Sequence, residues 1–221
     1  MPWLTAVLGF FLLLAPHAAG RESRDGLPDD GVLRVYLARH GQTDWNREGR
    51  LQGSADIPLN ETGRQQAAAL ADRLRGVRFD AVYSSELKRS RETAEIVHGA
   101  APLFALAGLN ERRIGAFEGH ASSAEYERRS RAPDDTLDGG ESQSQFFARI
   151  QSTLTVLRQG HRSGAILIVG HGGTNQMIVR ALFGLSADRA AAFTQGNDDL
   201  YLCEIVSGAA PRFWKLTDPV P

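Results

Sequence analysis

Short apolar runs alternate along the chain with longer segments in which apolar residues recur every three or four positions. Continuous apolar runs of this kind are typical of buried β-strands. The predicted strands cover residues 32–38, 79–83, 103–106, 165–169, 200–206 and 212–216. We expect the last two strands to form an antiparallel pair, because only a short turn containing Ser207 and Gly208 separates them.

Three of the intervening segments predict amphipathic helices, since their apolar residues fall on one face of a helix. The first covers residues 62–75 and ends at Gly76. The apolar stripe of the second is formed by Phe147, Ile150, Leu154 and Leu157. The third covers residues 173–182, with Gly184 as its stop. Strands that alternate with helices predict an α/β fold, here a three-layer α/β/α sandwich with a mainly parallel sheet and helices on both faces.

Composition narrows the class of protein. The chain has 221 residues, with 25 basic and 26 acidic side chains and a formal net charge of −1. This length suits one domain with a full core. The charges are interspersed rather than clustered, so we expect no nucleic-acid partner. The single cysteine, Cys203, excludes an internal disulfide and a cysteine-based zinc site.

The N-terminal segment is typical of an export signal. Residues 1–20 contain no charged side chain, and residues 4–15 form an apolar core before a small-residue cleavage site at Ala19 or Gly20. We therefore predict a signal peptide over 1–20, a solvated linker over 21–31, and a periplasmic or secreted protein. The segment lacks a basic residue, so a retained membrane anchor, or a cytoplasmic protein with a misplaced start codon, stays an alternative.

Two histidines follow predicted strands directly. Arg39 and His40 end the first strand, and His171 follows the fourth strand within a glycine-rich turn that opens onto a helix. Ligand sites in open α/β sheets lie at the carboxyl ends of the strands. Helix N-termini attract anions, because their amides point outward and the helix dipole is positive there. These two strand ends are therefore candidates for an anion site.

The second and third strands add further candidates at the same edge. A helix that starts near Ser85 would place Arg89 about one turn in, within reach of the strand ends. Glu111 follows the third strand, between apolar Leu109 and Ile114. A lone glutamate on a loop would normally be solvated, but its position in this series of strand ends makes it a candidate as well.

Taken together, these motifs resemble the histidine phosphatase superfamily, in the branch of the cofactor-dependent phosphoglycerate mutases and small phosphatases. The match spans about residues 33–185 and keeps the order of the family's motifs. The matching segments are 39–43 with Asn46, 52–53, 56–59, Gly63, 66–67, 84–89, 93–94, 109–111, Gly115, 118–119, 139–142 and 171–173.

The resemblance implies a phosphoglycerate mutase-like fold over residues 32–221 and a role for each matched site residue. His40 would be the nucleophile that forms a phosphohistidine, and Glu111 would protonate the leaving alcohol and then activate water. The phosphate pocket would be formed by Arg39, Asn46, Arg89, His171 and Gly172. Because arginines supply permanent positive charge there, we expect neither a metal nor a cofactor.

The sequence leaves alternatives for the reaction and for its substrate. A metal-independent phosphatase acting on a small phosphomonoester is favoured over a mutase, because the segment between Glu111 and His171 is too short for the long mutase insertion. An inactive protein that only binds a phosphorylated ligand is a further alternative. About residues 120–140 would form a lid, in which Arg128 or Arg129 could meet a second anionic group, although a solvated helical face is favoured for most of its charged residues. We expect no membrane contact after signal cleavage, and leave a homodimer open.

Overall fold

The computed structural model describes residues 30–216. The predicted signal peptide lies outside this range, as does the predicted linker apart from its last two residues. Across residues 30–216, no helix combines the length and the hydropathy needed to cross a bilayer. The fold below is therefore that of the region between the linker and the C-terminal residues.

The centre of the fold is a six-stranded mixed sheet in the order β3-β2-β4-β1-β5-β6. The strands are β1 (Val32–Arg39), β2 (Ala81–Ser84), β3 (Leu103–Ala105), β4 (Gly164–Gly170), β5 (Leu200–Val206) and β6 (Arg212–Leu216). The first four run parallel, while β5 is antiparallel to β1 and β6 is antiparallel to β5. All six predicted strands and the terminal antiparallel pair are confirmed.

Helices cover both faces of the sheet. They are α1 (Asp44–Arg47), α2 (Glu61–Arg73), α3 (Lys88–Val97), α4 (Ala124–Arg131), α5 (Gln143–Gly160), α6 (Gly172–Phe183) and α7 (Ala187–Ala191). Alternate residues of β1 point to opposite faces. Val35 and Leu37 pack in one core with α5 and α6, whereas Tyr36 and Ala38 pack in a second core with α2 and α3. The predicted three-layer α/β/α sandwich is confirmed.

Some element boundaries differ from the prediction. Helix α3 begins at Lys88, not near Ser85, because the Ser85 hydroxyl accepts a hydrogen bond from the Leu87 amide and holds the preceding turn. In α5, Phe146 is buried in the core, while Phe147 is only partly buried against it. Both phenylalanines fit helical spacing, so the periodicity alone did not distinguish them.

The strand register brings the candidate residues to one edge of the sheet. Arg39 is paired with Gly170 at the ends of β1 and β4, and Ser84 is paired with Val169 at the end of β2. The residues that follow these three strands therefore leave the sheet side by side. This places the candidate chemistry at the carboxyl edge of the parallel strands.

Candidate active site

His40 is fixed at the end of β1 by its backbone and its ring. Its amide donates to the Gly170 carbonyl at 3.0 Å, and its Nδ1 lies 2.7 Å from the Gly41 carbonyl. A carbonyl can only accept, so Nδ1 carries the ring proton and Nε2 carries a lone pair. The side chain is 2% exposed. Burial, and then the positive charges of Arg89 and Arg39, lower the pKa of His40 well below 6.5.

The turn after His40 requires a residue without a side chain. A Cβ atom on Gly41 would lie 2.3 Å from the carbonyl oxygen of Gly63, in the first turn of α2. The Gly41 amide donates to the Thr93 hydroxyl at 3.0 Å. Close approach of α2 and α3 thus locks the turn that orients the His40 ring.

His171 lies beside His40, at the N-cap of α6, with 5.1 Å between the ring centroids. Its Nδ1 accepts a hydrogen bond from the Arg89 Nε at 3.2 Å, since an arginine only donates. Its Nε2 therefore carries the proton and donates to the Ser85 hydroxyl at 2.7 Å. Burial and the nearby Arg89 charge lower the pKa of His171 well below 6.5. Both ring nitrogens of His171 are thus engaged by protein groups.

Arg89 is fully buried, in the first turn of α3. Besides its bond to His171, its guanidinium donates to the Ala55 carbonyl at 2.6 Å and to the Gly53 carbonyl at 2.9 Å. Burial lowers the pKa of Arg89 to about 10, an effect that the nearby Glu111 carboxylate opposes. Arg89 therefore remains positively charged at neutral pH, in a fixed orientation.

Arg39 brings a second guanidinium to the same place. It donates from Nη1 to the Gln195 carbonyl at 2.7 Å, and its Cζ lies over Gly172, where an added Cβ would be 3.7 Å away. Burial lowers the pKa of Arg39, and the Glu111 carboxylate opposes this. Its Nε is buried and has no hydrogen-bond partner among residues 30–216. A buried donor without a partner is costly, which is consistent with a site built for an anion.

Glu111 is oriented by backbone amides. Its Oε2 accepts from the Gly173 amide at 2.9 Å, in the first turn of α6, and its Oε1 accepts from the Arg112 amide at 2.9 Å. Leu109 and Ile114 are buried. The carboxylate is thus oriented by polar backbone groups at a helix N-terminus, which the apolar sequence neighbours Leu109 and Ile114 did not predict.

The side chain of Asn46 stabilises the loop after β1. Its amide oxygen accepts from the Thr43 amide and the Thr43 hydroxyl, both at 3.1 Å, in the capping box of α1. The Thr43 hydroxyl also lies 3.0 Å from the side-chain oxygen of Gln52. This network holds Asn46 at the wall of a cavity at this edge of the sheet.

A cavity of about 410 Å³ opens at this edge of the sheet. The predicted site residues that line it are Arg39, His40, Asn46, Arg89, Glu111 and Gly172. His171 is not among the lining residues. It accepts a hydrogen bond from Arg89, which does line the cavity. The predicted residues are thus brought together, with His171 set apart from the cavity surface.

Helix α4, within the segment predicted to form a lid, lines the cavity with Tyr126, Glu127, Ser130 and Arg131. Neither Arg128 nor Arg129 lines the cavity. Arg129 instead binds the carboxylates of Asp135 and Asp138, with its shortest contact to each at 2.8 Å. These ion pairs fasten the lid helix to the segment that follows it.

Besides Arg39, Arg89 and the buried Arg112, two further arginines line the cavity. Arg131 from the lid and Arg50 from the loop after α1 both line the cavity. The Arg50 guanidinium stacks on the Trp45 ring at 4.1 Å and donates to the Gly119 carbonyl at 2.6 Å. Arg50 is therefore held rigidly, whereas the Arg131 side chain is 78% exposed.

The sequence analysis missed the loop between α7 and β5. There the carbonyl of Gln195 accepts from Arg39, and the side chain of Asn197 donates to the His40 carbonyl at 2.7 Å. Gln195 is 5% exposed, and its side-chain amide nitrogen donates to the Leu37 carbonyl at 3.1 Å. A polar loop with no apolar pattern carries no signal that distinguishes a buried glutamine from a solvated one.

The positive charge of the cavity comes from arginine side chains. Within the stretch from residue 30 to 216, no three His, Cys, Asp or Glu side chains are grouped so that they could hold a metal ion. The donor set fits an anion, because guanidinium groups are permanently charged and present several directed N–H groups.

Comparison with known proteins agrees with this geometry. The model of the histidine phosphatase superfamily (branch 1) matches residues 35–216. Phosphoglycerate mutase-like protein 4 of Arabidopsis thaliana is 34% identical over 175 residues, which cover 73% of this chain and 74% of that protein. The metal-independent phosphoserine phosphatase of Arabidopsis thaliana is 33% identical over 174 residues, which cover 73% of this chain and 71% of that protein.

A solved structure shares the fold as well. The crystal structure of the alpha-ribazole phosphatase from Shigella flexneri matches with a TM-score of 0.75 and 26% identity, over 84% of this chain and 96% of that one. The resemblance drawn from the sequence motifs is thereby confirmed, together with the fold class. The chain belongs to the histidine phosphatase superfamily, branch 1, and is a hydrolase of the phosphatase class.

Proposed function

We propose that this phosphatase hydrolyses a small phosphomonoester through a covalent phosphohistidine at Nε2 of His40. One observation carries the proposal: Nδ1 donates its proton to the Gly41 carbonyl, so the buried, neutral ring keeps a lone pair on Nε2. A neutral imidazole nitrogen is a competent nucleophile at neutral pH. His40 lines the same cavity as the two arginines that would bind the phosphoryl group.

The first step transfers the phosphoryl group to the enzyme. Nε2 of His40 attacks phosphorus, an N–P bond forms and the ester P–O bond breaks. Glu111, protonated for this step, gives its proton to the departing alkoxide. Arg39 and Arg89 balance the charge on the equatorial oxygens throughout, and alignment with charge balance is most of what phosphoryl transfer requires.

The second step returns the enzyme to its starting state. Water attacks phosphorus while the Glu111 carboxylate takes the water proton, and the N–P bond breaks. Inorganic phosphate leaves, and Nε2 of His40 regains its lone pair. Glu111 ends protonated, ready for the next alcohol, so atoms and protons balance over one turnover.

We assign His171 to the support of Arg89. Its Nδ1 holds the Arg89 Nε, and Ser85 in turn holds its Nε2. Burial and the positive charge of Arg89 keep the ring neutral, and only a neutral ring can accept the hydrogen bond from Arg89 Nε. A direct contact between His171 and a phosphoryl oxygen, which the family resemblance implies, would require one ring nitrogen to exchange its present partner.

The proposal includes no metal, since Arg39 and Arg89 would supply the charge that Mg²⁺ supplies in many phosphoryl transfers. A relative named as a metal-independent phosphoserine phosphatase supports this. We expect activity to survive dialysis against EDTA. Loss of activity under EDTA with recovery on addition of Mg²⁺ would contradict it.

The substrate is a small phosphomonoester whose alcohol stays to be identified. Relatives carry names with different substrates, phosphoserine in one and alpha-ribazole in another, so membership of the family does not select the alcohol. A relative named as phosphoglycerate mutase-like keeps the mutase alternative open. If addition of 2,3-bisphosphoglycerate leads to rapid interconversion of 3- and 2-phosphoglycerate, the mutase alternative is correct.

The decisive experiment is trapping of the covalent intermediate. A ³²P-labelled phosphomonoester is mixed with the protein, quenched in base and separated, and the label is then tested for loss in acid. We expect acid-labile label on the wild type and none on His40→Ala, with Glu111→Gln prolonging the labelled state because water activation is impaired. Equal labelling of His40→Ala, or no label on an active wild type, would refute the phosphohistidine.

A further inference from the structure

An ion pair between the buried Glu141 and the partly buried Arg149 lies next to the segment that carries Glu111. Glu141 is 6% exposed and precedes Ser142, the N-cap of α5, while Arg149 lies about two turns further along that helix. Arg149 Nε contacts Oε1 of Glu141 at 2.9 Å, and Nη2 contacts Oε2 at 2.7 Å. This is a bidentate pair, in which a planar fork meets a planar carboxylate.

The remaining donors of Arg149 hold the chain just before Glu111. Its Nη1 donates to the Gly108 carbonyl at 3.0 Å and to the Asn110 carbonyl at 2.9 Å. These carbonyls belong to the short 3-10 turn Ala107–Leu109 and to the residue that follows it. One guanidinium therefore holds the loop between β3 and Glu111 in place.

The backbone of Glu141 holds the chain just after Glu111. Its amide donates to the Arg113 carbonyl at 2.8 Å, and its carbonyl accepts from Arg112 Nε at 2.8 Å. The segment from Gly108 to Arg113 is thus held before Glu111 by the Arg149 side chain and after Glu111 by the Glu141 backbone, and the ion pair joins these two residues. Neither Glu141 nor Arg149 lines the cavity.

We propose that Glu141 and Arg149 are positioning residues that hold Glu111 at the distance and angle needed to protonate the leaving alcohol. The proposal rests on the proposed acid role of Glu111. Across residues 30–216, neither residue forms a hydrogen bond or ion pair with Arg39, Arg89 or His40, and the charge that Arg149 exerts on His171 is kept when lysine replaces it. Displacement of a catalytic group by about 1 Å can cost about 100-fold in rate.

The leaving group separates a positioning role from a merely structural one. An alkyl alcohol is a poor leaving group and needs a proton from the acid, whereas p-nitrophenolate departs without one. The value of kcat/KM reports steps up to departure of the alcohol, so water attack on the phosphoenzyme does not obscure the comparison. A displaced Glu111 therefore lowers kcat/KM for alkyl phosphates selectively, while a general loss of structure lowers both.

The test variant is Arg149→Lys, which keeps the charge but loses the planar fork, since one ammonium cannot hold Glu141 and two carbonyls together. For an alkyl phosphate that the wild type hydrolyses, such as phosphoserine, we expect kcat/KM to fall about 10- to 100-fold, whereas kcat/KM for p-nitrophenyl phosphate should fall less than about 3-fold. Glu141→Gln should follow the same pattern. The matched control is Arg158→Lys, an exposed position of α5, which should leave both values unchanged.

Glu111→Gln provides the reference for the outcome. If Glu111→Gln spares the aryl ester and Arg149→Lys does not reproduce that selectivity, the positioning proposal is wrong while the acid role stands. If Glu111→Gln lowers both substrates equally, the acid role itself fails and the positioning proposal falls with it. If circular dichroism shows that Arg149→Lys does not fold, the double variant Glu141→Gln/Arg149→Met removes both charges of the pair, so that neither is left without its partner, and serves the same comparison.

Discussion

The reactivity we propose for His40 depends on where its single ring proton lies. Its Nδ1 faces a carbonyl that can only accept, and Nδ1 of His171 faces an arginine that can only donate. The two neighbouring imidazoles are therefore fixed as opposite tautomers, the first protonated on Nδ1 and the second on Nε2. Opposite tautomers give the two rings different tasks, one as the nucleophile and one as a support for Arg89.

This assignment predicts a specific NMR result. In protein labelled with ¹⁵N-histidine at pH 6.5, we expect both rings to be neutral, because burial and nearby arginines lower both pKa values well below 6.5. His40 should show a protonated Nδ1 and a bare Nε2, and His171 the reverse. His40→Asn, which removes one set of signals, provides the assignment. Imidazolium signals at this pH, or a proton on Nε2 of His40, would contradict the proposed nucleophile.

At the scale of elements, we propose that the lid influences which alcohol is accepted, because α4 lines the cavity. Helix α4 is fastened by Arg129 to Asp135 and Asp138, so its remaining cavity-facing groups are presented from a fixed frame. Arg131 is the arginine of α4 that lines the cavity, and Arg50 lines the cavity from the loop after α1. We infer that a second anionic group on the substrate would be recognised by this pair rather than by Arg128 or Arg129.

Substitution of the lid arginines tests this. Arg131→Ala should raise KM for phosphoserine, which carries a carboxylate, by about 2- to 5-fold, the range expected for an exposed ion pair. The value for p-nitrophenyl phosphate, which has no second charged group, should stay unchanged. Arg128→Ala is the matched control, because Arg128 lies on the same helix, is exposed and does not line the cavity. Equal changes for both variants would show a general charge effect instead.

The elements also show how far a sequence can predict this protein. Strand ends were predictable, because apolar runs stop abruptly at His40 and His171, and parallel strands end at one edge. The environment of Glu111 was not, since the amide of Gly173 is distant in the chain and comes close only through the fold. Gln195 was missed for the same reason: its burial depends on the packing of its loop against β1 rather than on any local pattern.

At the scale of the whole molecule, export stays a prediction from residues 1–20, which lie outside the described structure. The apolar core and the small residues at Ala19 and Gly20 motivate it. We propose cleavage after one of these two residues and delivery outside the cytoplasm. N-terminal sequencing of protein from the periplasm or medium should begin at Gly20 or Arg21. Recovery of the intact N-terminus in a membrane fraction would favour an anchor instead.

Keeping two neutral histidines in the interior makes stability depend on pH. In the unfolded chain a histidine titrates near 6.5, whereas folding lowers the pKa of His40 and His171 well below that value. Below pH 6.5 the unfolded state therefore binds more protons than the native state, so the free energy of unfolding falls as the pH falls. The contribution is fully present above 6.5 and is lost between 6.5 and the lower native values. Carboxylates with lowered pKa values, such as Asp135 at about 2, act only in more acidic solution.

Urea unfolding at pH 7.5 and pH 5.5 isolates this effect. Two histidines that stay neutral in the native state, one pH unit below their unfolded pKa, should together lower the free energy of unfolding by about 2 to 3 kcal/mol. His40→Asn removes one of the two groups and should reduce the difference between the two pH values by about half. An equal free energy of unfolding at both pH values would mean that the rings become protonated inside the folded protein. The nucleophile would then be an imidazolium over the same range, and the lone pair on Nε2 that the proposed reaction needs would be lost with it.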